Sequence, residues 1–262
     1  MNPPLDVRRY NREAWDGMVK TQDRWTLPVG PEEIARARRG DWQIVVTPIK
    51  PVPRAWLGDV SDKEVLCLAG AGGQQGPVLA AAGARVTVFD NSPAQLDQDR
   101  TVAEREGLAI RLVEGDMRDL SVLQDGHFDL IIHPASNSFV DEIRSVWREA
   151  FRVLRPGGAL VSGFSNPIVF LFDPDLEQRG ILQLKYRMPY SDFTSLTDEE
   201  RRRYTDSRQP LCVAHSLEDQ LGGQLDAGFV ITGFYEDKHL DSPLADYFSG
   251  MCATRALKPQ VR

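Results

Sequence analysis

The residues best suited to bind a ligand lie in a glycine-rich segment, AGAGGQQG at residues 69–76, directly after a short apolar run. A glycine-rich turn between a strand and a helix lets a ligand approach the backbone, and it directs N–H groups of the helix at an anion. The dinucleotide-binding pattern G-x-G-x-x-G fails here, because Gln75 holds the place of its third glycine. No Gly-Lys-Ser/Thr sequence follows, so the segment is not a phosphate-binding loop of the NTPase type.

Two acidic positions follow this segment, each at the end of a predicted strand. Asp90 ends the β-branched run 85–89, and the pair Asp116-Met117 follows the run 109–113. A carboxylate in the first place can accept hydrogen bonds from two ribose hydroxyls. An acid beside an apolar side chain suits an adenine amino group. Either acid could instead cap a helix or stabilise a turn, but together they favour a ligand that carries a nucleoside.

The elements that must position these residues alternate between strands and helices. Five apolar runs have strand length, and helical patterns lie between them; a further helix (217–227) and two strands (229–235, 251–256) come near the end of the chain. The five runs are 64–69, 85–89, 109–113, 128–132 and 159–164, and the helical patterns between them include 77–82, 93–106 (with Ser92 as its N-cap) and 139–153. Such alternation predicts an α/β fold with a doubly wound, mostly parallel sheet covered on both faces. The last two strands have no room for a helix between them, so we expect an antiparallel pair at the sheet edge.

Two segments lie outside this alternation. Residues 1–57 hold four of the five tryptophans and two helical patterns, at 7–20 and 31–39, and we expect a helical arm or lid. The remaining residues, 58–262, form the main domain, with an aromatic-rich insert at 166–215 between its fifth and sixth strands. Arm and insert are predicted to cover the carboxyl ends of the strands.

Taken together, these motifs resemble the class I S-adenosylmethionine-dependent methyltransferases of the small-molecule type. The resemblance covers about residues 63–165, through the glycine segment, EGDM at 114–117, FDLII at 128–132 and RVLRPGG at 152–158. It implies a Rossmann-like methyltransferase fold with seven strands, and S-adenosylmethionine as cofactor. The chain departs from the family pattern at Cys67, where an acid is usual, and at Ala69 and Ala71, where glycines are usual.

The resemblance also assigns cofactor contacts. It places the methionine end of the cofactor against residues 69–73, the ribose on Asp90 and the adenine beside Asn91 and Asp116-Met117. The predicted cofactor residues are Ala69, Gly70, Ala71, Gly73, Gln75, Asp90, Asn91, Asp116, Met117 and His133.

Catalysis and acceptor binding depend on residues that no motif marks. Methyl transfer from a sulfonium can rely on proximity and alignment, and an acceptor with an exchangeable proton also needs a base. His133, just past the fourth strand, is the predicted base. The predicted acceptor contacts are Trp15, Asn137, Phe170, Tyr190 and His215. No metal site is predicted.

Composition restricts the partners. The chain of 262 residues has 31 Lys and Arg against 38 Asp and Glu, a net charge of −7, which disfavours a general nucleic-acid binder. No apolar stretch approaches the ~18 residues that span a membrane, and three cysteines without C-x-x-C spacing suggest reduced thiols. We therefore expect a cytoplasmic protein, monomer or homodimer, acting on a small molecule.

Three functions agree with these patterns. The first is a methyltransferase acting on a small acceptor of unspecified identity. The second is a protein that binds S-adenosylmethionine in a regulatory or partner role without transferring a methyl group. The third, a nicotinamide-dependent oxidoreductase, would need the dinucleotide pattern that fails at Gln75.

Overall fold

The core of the molecule is a seven-stranded sheet in the order β3-β2-β1-β4-β5-β9-β8, seen in a computed structural model that describes residues 6–260. The strands β1 to β5 run parallel, and β9 pairs antiparallel with both β5 and β8. The strands are β1 (Glu64–Leu68), β2 (Arg85–Asp90), β3 (Ile110–Glu114), β4 (Phe128–His133), β5 (Leu154–Ser165), β6 (Tyr190–Ser191), β7 (Val213–Ala214), β8 (Val230–Asp237) and β9 (Met251–Leu257). The predicted doubly wound sheet with an antiparallel last pair is confirmed.

Helices cover both faces of this sheet. They are α1 (Val7–Lys20), α2 (Pro31–Arg38), α3 (Arg54–Leu57), α4 (Gln75–Ala81), α5 (Pro93–Glu106), α6 (Ile143–Val153), α7 (Pro174–Glu177), α8 (Asp198–Asp206) and α9 (Gly223–Asp226). The central strands are buried on both sides, as in β1, where Val65 and Leu66 are fully buried in two different apolar clusters. This explains why the strands are continuously apolar rather than alternating.

Two predicted helices are shorter in the structure. The pattern 139–153 begins its α-helix only at Ile143, because a 3₁₀ turn, Asn137–Phe139, precedes it. The pattern 217–227 divides into a π-helical turn, Glu218–Gly222, and α9. Both departures lie beside the carboxyl ends of the strands, and π-helical turns are frequent at functional sites.

The N-terminal segment packs as part of the core. Ile34, Trp42 and Val46 are buried in the same apolar cluster as strands β1, β2 and β4. A β-carbon on Gly163 of β5 would lie 1.8 Å from the Val46 carbonyl oxygen, so the segment crosses the sheet in close contact. The role of 1–57 as a separate arm or lid therefore stays a prediction.

The insert has a small sheet and core of its own. Strands β6 and β7 pair antiparallel, and Tyr190, Leu196 and Ala214 form a separate apolar cluster. Asn11 of α1 joins the arm to this insert: its amide donates to the Phe139 and Leu211 carbonyl oxygens, and its own oxygen accepts from Leu211 N at 2.9 Å. In residues 6–260, no helix is long and apolar enough to cross a membrane.

Candidate active site

One cavity of about 550 Å³ lies over the carboxyl ends of the parallel strands. Asp90, Asn91 and Met117 line one end, which we call the cofactor end. The other, the acceptor end, is lined by Trp25, Val169, Phe170, Glu177, His239, Ser242, Leu244 and Met251. Cavities at this edge of an open α/β sheet are where such folds bind ligands.

The glycine segment follows the path of a glycine loop although two of its residues are alanines. Ala69 and Ala71 line the cavity with φ of 49° and 50°, in the left-handed region that glycine usually occupies. Gly72 packs against α5 so closely that a β-carbon would lie 2.1 Å from the Gln95 carbonyl oxygen. Its N–H donates to Gln95 Oε1 at 2.7 Å. Strained backbone of this kind is typical of ligand sites.

Gln75 presents a buried acceptor atom to the loop. Its side chain is 5% exposed, and Nε2 donates to the Val45 carbonyl oxygen, whereas Oε1 has no hydrogen-bond partner in the described residues. A β-carbon on Gly70 would lie 3.7 Å from that oxygen. A buried polar atom without a partner costs free energy unless a ligand satisfies it. Oε1 therefore fits the ammonium group of an amino-acid moiety.

Asp90 ends β2 at the cofactor end. One carboxylate oxygen accepts from Ser92 N at 2.8 Å, as part of the turn into α5. Burial raises the pKa of the carboxyl to about 6, and the nearby Asp16 acts in the same direction, although hydrogen bonds from Ser92 and Asn91 N–H oppose the rise. No Lys, Arg or His nitrogen of residues 6–260 lies within 4 Å of it. Asp90 can therefore accept from hydroxyl groups of a ligand.

Arginines occupy the polar atoms of Asn91 and Asp116. Asn91 accepts from Arg8 Nε at 3.0 Å and donates to the Arg8 carbonyl oxygen at 3.0 Å. Asp116 accepts from Arg118 Nη2 at 2.7 Å, and Arg8 Nε lies 3.8 Å from it. Burial alone would raise the pKa of Asp116, but hydrogen bonds from Arg118 outweigh it, and the pKa is lowered. An adenine amino group would share the Asp116 carboxylate with Arg118.

His133 is fully buried and does not line the cavity. Nδ1 donates to the Leu68 carbonyl oxygen at 2.8 Å, and Nε2 bonds to the side-chain amide of Asn137. Its ring meets Trp147 edge to face at 5.9 Å between centroids. Burial lowers the pKa of the imidazole. The base role predicted for His133 has no support in this geometry and stays a prediction.

Two further predicted acceptor contacts, Asn137 and His215, lie behind the cavity wall and hold the loop between β4 and α6 in place. Asn137 is 1% exposed and donates to Gln220 Oε1 at 2.8 Å. His215 Nε2 donates to the carbonyl oxygens of Asn137 and Val140, at 3.1 and 2.9 Å. Neither side chain lines the cavity, whereas Ser136, Ser138 and other residues of the loop do. Both residues therefore contact the site only through the loop backbone.

The remaining predicted residues also divide into those that line the cavity and those that do not. Trp15 and Phe170 line the cavity, and Trp15 meets Phe139 edge to face at 5.0 Å. Tyr190 lies behind Phe170, stacked at 5.7 Å between ring centroids, with its hydroxyl on Asp192. Of the predicted cofactor residues, seven line the cavity, namely Ala69, Ala71, Gln75, Asp90, Asn91, Asp116 and Met117, whereas Gly70, Gly73 and His133 do not.

Sequence reasoning missed the polar residues of the acceptor end. Glu177 ends α7 and accepts from the Ser242 hydroxyl, and His239 packs against Gly250 and lines the cavity. No local pattern marks them, because insert and β8–β9 connection meet only in the folded chain. No group of three His, Cys, Asp or Glu side chains within residues 6–260 could hold a metal ion.

Comparison with known proteins identifies the family of this chain. A model of the methyltransferase domain family matches residues 66–162. The uncharacterized methyltransferase YbaJ of Bacillus subtilis (strain 168) is 51% identical over 249 residues, which cover 95% of this chain and 97% of that protein. The chain belongs to the methyltransferase family. This membership confirms the predicted resemblance to the class I S-adenosylmethionine-dependent enzymes and decides against a nicotinamide-dependent oxidoreductase.

Solved structures share the fold of this methyltransferase. An S-adenosylmethionine-dependent methyltransferase from Mesorhizobium loti has a TM-score of 0.60 at 18% identity, over 78% of this chain and 94% of that chain. The 1,6-didemethyltoxoflavin-N1-methyltransferase of Burkholderia thailandensis has a TM-score of 0.61 at 14% identity, over 99% and 92%. The second match extends over nearly the whole of this chain.

Proposed function

We propose that this methyltransferase transfers the methyl group of S-adenosylmethionine to a small molecule bound at the acceptor end. The observation that carries the proposal is one continuous cavity, which joins Ala69 and Asp90 at the carboxyl ends of the strands to Phe170 and Met251. Its apolar walls with a few polar groups are typical of small-molecule sites. The negative net charge supports a small molecule rather than a nucleic acid as acceptor.

The cofactor end provides a contact for each part of the cofactor. Asp90 accepts from the ribose hydroxyls, and Gln75 Oε1 accepts from the ammonium group of the methionine part. Ala69 and Ala71 let that part approach the backbone, and Met117 packs against the adenine. Their lining positions and the unpartnered Gln75 oxygen support these roles.

Positioning supplies most of the rate enhancement in this proposal. The bound cofactor supplies a methyl group that is already activated for displacement. The chain holds the acceptor in line with it, and a well-aligned pair gains an effective molarity of up to ~10⁵–10⁸ M. The side chains of Trp15, Trp25 and Phe170 exclude water from the cavity.

Calorimetry tests the cofactor. S-adenosylhomocysteine and S-adenosylmethionine should both bind, and NAD should not. Asp90→Ala should weaken S-adenosylhomocysteine binding by about 1.5–3 kcal/mol, roughly ten- to 150-fold, because two hydrogen bonds to a charged group are lost. Asp97→Ala, on the exposed face of α5, is the matched control and should bind as the parent does. NAD binding without S-adenosylhomocysteine binding would contradict the proposal.

The cellular location and the oligomeric state of the enzyme also belong to the proposal. A cytoplasmic location agrees with three free cysteines, two of them buried. The expected monomer or homodimer stays a prediction, which sedimentation at micromolar concentration tests.

A further inference from the structure

The charged residues of the cavity wall are mostly neutralised by neighbours. Arg24 pairs with Asp241, and Arg118 with Asp116 and Asp141. Among the acids that line the cavity, only Asp90 and Glu177 have no Lys, Arg or His nitrogen within 4 Å in residues 6–260. They lie at opposite ends, so Glu177 is the one acid of the acceptor end in residues 6–260 without a cationic partner within 4 Å, and the exposed imidazole of His239 also lines this end.

Glu177 is half-buried and keeps an oxygen available for a ligand. The Ser242 hydroxyl donates to Oε1, and Oε2 accepts no hydrogen bond from residues 6–260. Ser242 is itself fixed, because its hydroxyl oxygen accepts from Leu244 N at 3.1 Å at the start of a 3₁₀ turn. The carboxylate therefore has one oxygen bound to the protein and one without a hydrogen-bond partner in the described residues, on a side chain that lines the cavity.

The short helix α7 holds Glu177 in place. The Asp173 side chain caps this helix by accepting from Leu176 N at 3.1 Å. Lys185 Nζ lies 2.9 Å from Asp173 and 2.9 Å from Glu200, and Asp173 N donates to the Gln183 carbonyl oxygen. A carboxylate fixed before binding loses little entropy when a ligand arrives.

The walls around Glu177 suit a flat apolar group. Phe170, Trp25 and Met251 lie on different elements and face the same space. Phe170 is backed by Tyr190, which keeps its ring in a fixed plane. Aromatic faces attract cations as well as apolar surfaces.

We infer that the acceptor is an apolar-bodied amine or alcohol without negative charge, which donates an N–H or O–H hydrogen bond to Glu177 Oε2. This inference rests on the proposed function, since it assigns the acceptor to this end of the cavity. A carboxylate or phosphate at the same place would face Glu177, which has no Lys, Arg or His nitrogen within 4 Å in residues 6–260, and the Arg24 guanidinium of the cavity wall is already paired with Asp241. The site therefore selects against anionic acceptors.

Three probes with one ring system test this charge preference. Tryptamine is a cation, 3-methylindole is neutral and indole-3-acetate is an anion. Each is titrated by calorimetry into the full chain saturated with S-adenosylhomocysteine. Tryptamine should bind at least about tenfold more tightly than indole-3-acetate, with 3-methylindole between them, because hydrogen bonds to a charged group are the strong ones.

Two substitutions at Glu177 make the test specific. Glu177→Gln keeps the shape and should remove most of the preference, whereas Glu177→Lys should reverse the order of the three probes. Glu199→Lys, on the exposed face of α8, makes the same charge change outside the cavity and should leave the order unchanged. Thermal unfolding of each variant checks that it is folded.

The outcomes separate this inference from the proposed function. Equal or tighter binding of indole-3-acetate by the parent overturns the inference, as does an unchanged order in Glu177→Lys or no binding of any probe at millimolar concentration. In each of these cases S-adenosylhomocysteine still binds. Failure of S-adenosylhomocysteine to bind overturns the proposed function itself.

Discussion

The two ends of the cavity are constructed differently. The cofactor end stands on successive parallel strands, so that Ala69, Asp90 and Met117 come from one continuous part of the chain. The acceptor end joins Trp25 of the arm to Glu177 of the insert and His239 of the β8–β9 connection. The first is determined by strand register and the second by long-range packing. Changes in the insert or in the β8–β9 connection should therefore affect the acceptor end more than the cofactor end.

The largest effect should come from the place where the arm crosses the sheet. Gly163→Ala puts a β-carbon 1.8 Å from the Val46 carbonyl oxygen, a backbone atom that cannot move aside without moving the arm. We expect the free energy of unfolding to fall by about 3 kcal/mol or more in urea denaturation. Hydrogen exchange should become faster in residues 42–47 than in β1 and β2.

Gly17→Ala is the control for Gly163→Ala. In the described residues, no atom outside the backbone of α1 lies within 4 Å of its β-carbon position in the last turn of that helix, so the change should stabilise by about 0.4–1 kcal/mol. Equal unfolding free energies for Gly163→Ala and the parent would show that the arm is not held by this contact.

The next effect concerns His133, which is fully buried at the end of β4 and does not line the cavity. His133→Ala leaves the Leu68 carbonyl oxygen and the Asn137 amide unsatisfied, so the unfolding free energy should fall by about 2–3 kcal/mol. His127→Ala, at the half-exposed start of β4, should change it by less than about 0.5 kcal/mol.

Turnover of the folded His133→Ala protein distinguishes the two roles for this residue. A residue that only positions the loop should leave the rate within about tenfold of the parent. A general base would cost ~10²–10⁴-fold. The larger loss would confirm the base role predicted from the sequence.

The pH dependence of cofactor binding tests the role of Asp90 and therefore concerns the cofactor end alone. Burial raises the pKa of Asp90 to about 6, and a ribose donates to the ionised carboxylate, so protonation competes with binding. Affinity for S-adenosylhomocysteine should be constant above that pH and fall by up to about tenfold per unit below it. Asp90→Asn should abolish the dependence between pH 5 and 7. The same dependence in the variant would assign it to a neighbour such as Asp99, whose pKa is also raised by burial.

The contribution of Asp90 to protein stability changes with pH in the opposite direction to cofactor binding. Because the pKa of Asp90 is higher in the folded chain than its ordinary 3.8, the folded state binds more protons than the unfolded state between these values. This contribution to stability is complete below pH 3.8 and is lost as the pH rises through about 6. Cofactor binding therefore improves over the same range in which this residue stabilises the fold less.

The smallest effect should come from Arg8, which joins α1 to the cofactor end. Its side chain is 46% exposed, and exposed ion pairs contribute at most about 1 kcal/mol. Arg8→Ala should change S-adenosylhomocysteine affinity by less than about fivefold. Arg9→Ala, which loses only a pair with Glu13, is the control. A larger loss for Arg8→Ala would place α1 among the cofactor-binding elements.

Local signals made much of the fold predictable. The bounds of α1 and α5 agree with the predicted 7–20 and 93–106, because Ser92 caps α5 and Gly107 ends it in the left-handed region. The place of Asp90 at the edge of the sheet was predictable in the same way, since a polar residue that follows a buried strand marks this edge. These features depend on neighbours in sequence, which a sequence shows directly.

His133 shows what such reasoning leaves open. Alternate residues of a strand point to opposite faces, so His133 shares a face with Ile131 rather than with Ile132. That face packs under α6, where Trp147 and Ile131 belong to one buried cluster. Position at the strand end was predictable, whereas the helix that covers the side chain was not. Glu177 and His239 were beyond prediction for a related reason, since only the folded chain brings them together.

Asn11 has a consequence for engineering this enzyme. Its amide is 3% exposed and satisfies groups on the loop at Phe139 and on the insert at Leu211. An insert exchanged for that of a relative would leave this amide with unmatched partners, each costing about 1–3 kcal/mol. Helix α1 and the insert therefore depend on each other through these hydrogen bonds. Chimaeras that change acceptor specificity should exchange both segments together.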